Sequence, residues 1–161
     1  MKKTLLLLSL SALVLGACQK NNEPAPVADV RTSLLLAHDW ELAAQTTTFN
    51  REGKAEVMDI YASTVACGRD NVTKFNADKS LTYSEGKLTC AGNTQGPLTG
   101  SWAFNKDQTE LTINSPQLHG AASVFQVLDL SDQHLQIRHT YTYRQDDHDY
   151  TGVEDYTFKA L

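Results

Sequence analysis

Cys67 and Cys90 are two of the three cysteines in this 161-residue chain. Two thiols in one domain can form a redox couple, half of a metal site or a structural disulfide. Their separation is far longer than the Cys-x-x-Cys spacing of thioredoxin-like proteins, which argues against redox catalysis. The compartment in which the chain folds decides between the other roles, because disulfides persist in oxidising environments.

The segment QDDHD, residues 145–149, is the densest group of possible cation ligands. Carboxylate oxygens suit calcium, and a neighbouring imidazole suits zinc. The segment also has the composition of a solvated hairpin turn, and it lacks the glycine and terminal glutamate of a calcium loop. We therefore predict a turn and no metal site. The residues concerned are Asp146, Asp147, His148 and Asp149.

Aromatic residues and one histidine form the third candidate group. In HLQIRHTYTYR, residues 134–144, His139 falls on the same strand face as Leu135 and Ile137. Such a face can line a ligand cavity, or it can simply fill a small barrel. His139 is then either a polar contact for a ligand or a core histidine bonded to a neighbour. The candidate ligand-binding residues are Trp40, Trp102, His139, Tyr141 and Tyr143.

The amino-terminal segment indicates the compartment to which the protein is exported. Lys2 and Lys3 precede an apolar run over 4–17, which is shorter than the roughly 20 residues of a membrane-spanning helix and typical of a secretory signal peptide. The run ends in LGAC, which resembles the lipobox of bacterial lipoproteins. The resemblance implies cleavage before Cys18 and attachment of acyl chains to it. Several acyl chains anchor a protein stably to a membrane.

The chain is thereby divided into three parts. Residues 1–17 are the predicted lipoprotein signal peptide, and 18–33 comprise the lipidated cysteine and a polar, proline-containing tether. Residues 34–161 form one domain, large enough for a real core. Gln19, where an aspartate would indicate retention in the inner membrane, favours the outer membrane of the bacterial envelope, on its periplasmic or its outer face.

With Cys18 lipidated, an even pair of cysteines remains in an oxidising compartment. We therefore predict a disulfide between Cys67 and Cys90. It joins the residues before the strand near 70–76 to the segment before the strand near 99–104.

Charge and motifs exclude several functional classes. The formal net charge is −5 and no basic run occurs, which argues against a nucleic-acid partner, because phosphate binding needs clustered Lys and Arg. The chain contains no nucleophile elbow, metalloprotease motif or phosphate-binding glycine loop. We expect neither an enzyme nor a cofactor.

Alternation of apolar and polar residues indicates an all-β domain. Polar turn segments separate short runs rich in Thr, Val, Tyr, Phe and Trp. A single helix is predicted over 29–38, with leucines that can plug the end of a sheet. We expect an up-and-down antiparallel β-barrel of about eight strands, which leaves no open edge, with a sandwich as the alternative. The predicted strands lie near 39–48, 54–62, 70–76, 79–84, 99–104, 109–114, 122–130, 133–144 and 150–160.

The order of several motifs resembles a known family. Trp40 opens the first strand, and Cys67 precedes the hairpin segment FNADKS. Cys90 follows that hairpin, and a Gly-Ser-Trp motif begins at Gly100. This order resembles the lipocalin-like domain of small bacterial lipoproteins over residues 34–161. The resemblance implies a lipocalin-like barrel.

Three functions remain open. The first is a lipid-anchored envelope protein that holds a small, mainly apolar ligand in its barrel. The second is a module that binds a secreted protein, such as an inhibitor of lysozyme or of a protease, for which an acidic surface suits a basic partner. The third is a structural envelope lipoprotein. An open apolar cavity favours the first function, whereas a filled barrel with a protruding acidic or aromatic loop favours the second.

Overall fold

A computed structural model of the chain describes residues 27–51, 54–92, 96–115 and 121–161. The predicted signal peptide, the lipidation site Cys18 and the tether up to residue 26 lie outside the described residues. Helix α1 begins at Val27, within the segment predicted as tether.

The described residues form three helices and nine strands. The helices are α1 (Val27–Ala37), α2 (Ile60–Ser63) and α3 (Ala66–Arg69). The strands are β1 (Asp39–Arg51), β2 (Lys54–Asp59), β3 (Val72–Phe75), β4 (Ser80–Ser84), β5 (Leu98–Phe104), β6 (Glu110–Asn114), β7 (Ala122–Leu130), β8 (His134–Gln145) and β9 (His148–Ala160). Each predicted strand corresponds to one of these nine, with ends that differ by a few residues.

Eight of the strands close into an antiparallel barrel. From β3 to β9, each strand pairs with the next one along the chain, and β1 pairs with both β3 and β9. The predicted all-β, up-and-down architecture is therefore confirmed. Closure gives the backbone of each barrel strand neighbours on two sides, so the barrel itself leaves no full-length edge exposed.

β2 is the strand outside the barrel. It forms a hairpin with the second half of β1, from Thr46↔Asp59 to Arg51↔Lys54, whereas β3 pairs with the first residues of β1. β8 and β9 also run past the barrel, because they stay paired to Gln145↔His148. We refer to β2 with the adjoining parts of β1, β8 and β9 (46–51, 139–145 and 148–154) as the projecting sheet.

Helix α1 covers one end of the barrel, which we call the closed end. Leu35 and Trp40 are fully buried there, and the indole Nε1 of Trp40 donates to the carbonyl of Leu35 at 3.0 Å. Arg31 donates to the carbonyl of Gln108 at 2.5 Å, and the Gln108 amide donates to Thr32 at 2.7 Å. The predicted helix thus plugs the barrel, and these bonds fix it to the β5–β6 turn.

We call the opposite end of the barrel the open end. Two segments there have structures that the alternation of apolar and polar residues did not predict. The strand predicted over 54–62 ends at Asp59, because its carboxylate caps α2 by accepting from the Ala62 N–H at 2.8 Å. Residues 87–90 do not form a strand. Asp70 accepts from the Leu88 N–H at 2.8 Å instead, which holds this segment against the connection that follows α3.

Candidate functional site

A cavity of about 190 Å³ lies inside the barrel toward the open end. It is partly open to solvent, and its walls are mainly apolar. Seven of the nine strands contribute side chains to the wall, together with Gly68 of helix α3 and residues beside β3 and β6. The lining residues are Leu42, Gln45, Gly68, Asn71, Thr73, Phe75, Leu81, Tyr83, Ile113, Ser115, Phe125, Ile137, Tyr156 and Phe158.

Strand alternation places these side chains inside. In β3 and β4, Thr73 pairs with Tyr83 and Phe75 pairs with Leu81, so the four share the inner face. Phe75 and Leu81 are almost completely buried. The inner face of the hairpin is therefore apolar toward the closed end and more polar toward the open end.

The disulfide frames the open end of the cavity. Cys67 on α3 is bonded to Cys90 in the β4–β5 connection, with a Cα–Cα distance of 5.2 Å. Gly68, the next residue, lines the cavity. The predicted pairing is present, and it holds α3 against the barrel at the entrance.

Two polar side chains form a pair in the wall near this entrance. The Asn71 amide donates through Nδ2 to the hydroxyl of Tyr83 at 2.6 Å. The other polar atom of this side chain, Asn71 Oδ1, is buried and has no hydrogen-bond partner among the described residues. A residue of the cavity wall therefore carries an unpaired buried acceptor.

A second polar group lies across the cavity. The hydroxyl of Tyr156 donates to Glu154 at 2.9 Å. Burial raises the pKa of Tyr156 strongly, and the nearby Glu154 carboxylate raises it further. Tyr156 is therefore a neutral phenol at any physiological pH, and Glu154 adds negative potential beside the cavity.

Trp40 and Trp102 lie in the core of the closed end. They are 0 % and 2 % exposed, and neither is among the residues that line the cavity. The Trp102 indole donates to the carbonyl of Asn76 at 3.1 Å, and its ring makes edge contacts with Phe75 and Phe104. Both tryptophans thus point inward, as alternation predicts, but they fill the barrel beneath the cavity.

His139, Tyr141 and Tyr143 continue the inner face of β8 onto the projecting sheet. None of the three lines the cavity. His139 Nδ1 bonds to the carbonyl of Val124 at 2.9 Å, beyond the last backbone pair between β7 and β8. Its environment is therefore that of a histidine satisfied by a neighbour. Ligand contact by the five predicted residues stays a prediction, which the shape of the cavity does not support.

Three of the lining residues that sequence reasoning missed share one feature. Asn71, Thr73 and Tyr83 come from the short, polar β3–β4 region, whose residues carry little hydrophobic signal. Alternation in VTKF and SLTYS would place Thr73 and Tyr83 inside. Nothing in the sequence would place Asn71 there, because it lies just before β3 and its position depends on the preceding helix.

The acidic segment forms a two-residue hairpin turn. Asp146 and Asp147 have φ angles of 49° and 61°, as a type I′ turn requires at both central positions. Arg144 lies 3.5 Å from Asp147 and 3.4 Å from Asp149. The described residues include no group of three or more His, Cys, Asp or Glu that could hold a metal ion.

The β7–β8 turn brings together Ser131, His134 and Asp129, the residue types of a hydrolytic triad. Ser131 Oγ lies 3.2 Å from His134 Nδ1, and His134 Nε2 contacts Asp129. The serine oxygen also accepts from the N–H groups of Gln133 and His134, at 3.3 and 3.2 Å. The cluster lies at the closed end, away from the cavity. Its bonds are those of a serine-stabilised turn.

Comparison with known proteins assigns no family: no family model matches the chain, and no curated protein matches its sequence. Among the residues that the structure describes, no helix has the length and apolarity needed to cross a membrane. A barrel supports many unrelated functions, so function must be argued from the site and not from the fold.

Proposed function

We propose that this chain is a lipid-anchored envelope protein that binds a small, mainly apolar molecule inside a lipocalin-like barrel. The observation that supports the proposal is the partly open cavity of about 190 Å³, lined mostly by apolar side chains. Protein interiors are close-packed and rarely keep such a space. Small-molecule sites have this combination of apolar walls and a few polar groups.

The volume limits the size of the ligand. A cavity of about 150 Å³ lined by apolar side chains binds benzene, so about 190 Å³ suits a body of roughly six to ten non-hydrogen atoms. Binding, not catalysis, is the activity proposed. The residues that would contact the ligand are the lining set and not the five aromatic and histidine candidates of the sequence.

The test uses toluene as a probe and calorimetry as the readout. Leu42 lines the cavity, whereas Leu128 is 42 % exposed on β7. Leu42→Trp fills the cavity, so we expect it to abolish toluene binding, while the matched Leu128→Trp leaves binding unchanged. Equal toluene binding by Leu42→Trp and the unsubstituted chain would place the probe elsewhere and refute the proposed site.

The anchor is the second part of the proposal. It rests on the resemblance of LGAC to a lipobox, which makes Cys18 the acylation site. Growth with labelled palmitate should label the chain, and Cys18→Ala should lose the label and move from the membrane fraction to the soluble fraction. Labelling that persists in Cys18→Ala would contradict the assignment.

The projecting sheet favours a second candidate, binding of a basic secreted protein. Val57 and Met58 on β2 are 65 % and 47 % exposed, and three aspartates cluster at the neighbouring hairpin. Lysozyme is the first partner to test. Inhibition that is lost when Asp146, Asp147 and Asp149 become asparagine supports this candidate, and unchanged lysozyme activity excludes it for this enzyme.

A further inference from the structure

The cavity wall carries one polar feature that an apolar ligand would leave unused. Within the part of the chain that the structure describes, Asn71 Oδ1 is buried without a hydrogen-bond partner, while Nδ2 of the same amide is already bonded to Tyr83. Buried acceptors in folded proteins are nearly always paired. A ligand that carries a hydroxyl or N–H group would supply the missing donor.

The charges around the cavity determine whether the polar group of a bound ligand can be charged or must be neutral. Among the described lining residues, none carries a formal charge. Glu154, bonded to Tyr156, adds negative potential at the wall. Arg69 follows Gly68 on α3, but its guanidinium lies over the ring of Tyr61, 5.3 Å from the centroid. A carboxylate in the cavity would lose its hydration without gaining a cation.

The apolar part of the wall indicates the shape of the ligand body. Phe75, Phe125, Tyr156 and Phe158 all line the cavity. Aromatic rings pack well edge-to-face with another ring, and the volume suits a body of about one ring. A single ring with one polar substituent would use both the aromatic wall and the Asn71 acceptor.

We infer that the cavity selects small neutral molecules with a ring-sized apolar body and one hydroxyl or N–H donor for Asn71 Oδ1, and that it rejects carboxylates of the same size. The inference rests on the proposed binding function and adds the chemical class of the ligand. It makes Asn71 the specificity-determining residue of the site.

Three probes with the same ring test the inference: toluene, p-cresol and p-toluate. Each is titrated into the full-length protein at neutral pH by calorimetry, with a detergent-only titration subtracted. We expect p-cresol to bind roughly two- to tenfold more tightly than toluene, the usual gain from one hydrogen bond. p-Toluate should bind at least about tenfold more weakly than toluene, because its charge is desolvated without a partner.

Substitutions at Asn71 separate a specific contact from general polarity. Asn71→Leu removes the acceptor at similar size, so the ratio of p-cresol affinity to toluene affinity should fall to about one. Asn71→Asp keeps an acceptor at the same place, so it should retain the preference for p-cresol and weaken p-toluate further. Asn50→Leu, at an exposed position of β1, is the matched control and should not change the ratios.

The outcomes distinguish the two levels of the proposal. If none of the three probes binds, the binding function fails and the inference fails with it. If toluene binds but p-toluate binds as tightly as p-cresol, the binding function stands and the inference is overturned. An unchanged p-cresol preference in Asn71→Leu also overturns it. If Asn71→Leu does not fold, Asn71→Asp is the deciding variant. Loss of the p-cresol preference in Asn71→Asp would then overturn the inference, because this variant keeps the acceptor.

Discussion

Glycine at position 100 shows how one atom can determine the packing of two strands. A Cβ built there would lie 2.2 Å from the backbone oxygen of Asn114, which cannot move without displacing β6. The glycine of the Gly-Ser-Trp motif is thus required by the close approach of β5 and β6. The resemblance identified the motif, and the structure supplies its physical cause.

Replacing this glycine tests that cause. We expect Gly100→Ala to lower the free energy of unfolding by about 1–3 kcal/mol, the usual cost of overpacking. Gly96→Ala is the control, because a Cβ there meets no described residue within 4 Å; its effect should stay within about 0.5 kcal/mol. Urea denaturation of the two variants gives both values. Equal stability of the two variants would contradict the close approach.

Tyr156 predicts a dependence of stability on alkaline pH. Its pKa is raised above the ordinary value of 10.0, mainly by burial and then by Glu154. The folded state therefore favours the neutral phenol, and this stabilisation is complete below pH 10.0 and decreases as the pH rises above it. The slope from one such group is at most about 1.4 kcal/mol per pH unit.

Tyr156→Phe isolates this contribution. Other groups also titrate at alkaline pH, including Lys159, whose pKa is raised by its hydrogen bond to Glu41. We expect the free energy of unfolding of Tyr156→Phe to fall less steeply above pH 10 than that of the unsubstituted chain. Denaturation curves at pH 8 and at successive values above 10 measure both slopes. Identical slopes would mean that Tyr156 ionises as freely in the folded state as in the unfolded state.

At the scale of the element, helix α1 packs on the barrel core with Leu35 fully buried and Leu36 partly buried. Leu35 is fully buried against the core, so Leu35→Ala should cost about 2–5 kcal/mol. Leu128→Ala, at an exposed position of β7, should change stability by less than about 0.5 kcal/mol. Thermal denaturation compares the two. A small loss for Leu35→Ala would show that α1 is not part of the cooperative core.

The disulfide is expected to affect both stability and the entrance of the cavity. The double variant Cys67→Ala, Cys90→Ala should have a free energy of unfolding about 3 kcal/mol lower, because the disulfide joins two residues that are 23 positions apart in the sequence. Because Gly68 lines the cavity, toluene binding should also weaken. Unchanged binding in the folded double variant would show that α3 stays in place without the bond.

The strands could be predicted, whereas the short helices could not. Alternation in β7 and β8 gave their bounds within a residue or so, because one face of each is buried. α2 and α3 have four residues each, too few for a helical period. Their positions depend on the Asp59 cap and on the disulfide, which act across the fold.

At the scale of the whole molecule, alternation predicts the face on which a side chain lies but not its height in the barrel. Trp40 and Trp102 point inward as expected, yet they pack in the core of the closed end, beneath the cavity. The position of the cavity along the barrel axis depends on how far α1 fills the closed end and on where α3 lies at the open end. Both follow from tertiary contacts, so the lining residues could be found only in the structure.

The most direct test of the account is chemical analysis of the protein from its own envelope. The full chain is purified in mild detergent and extracted with organic solvent, and small molecules are identified by mass spectrometry, with Leu42→Trp as the matched control. We expect a small, neutral, mainly apolar molecule in near-equimolar amount that is absent from Leu42→Trp. A protein that yields no such molecule and also fails to bind toluene would contradict it.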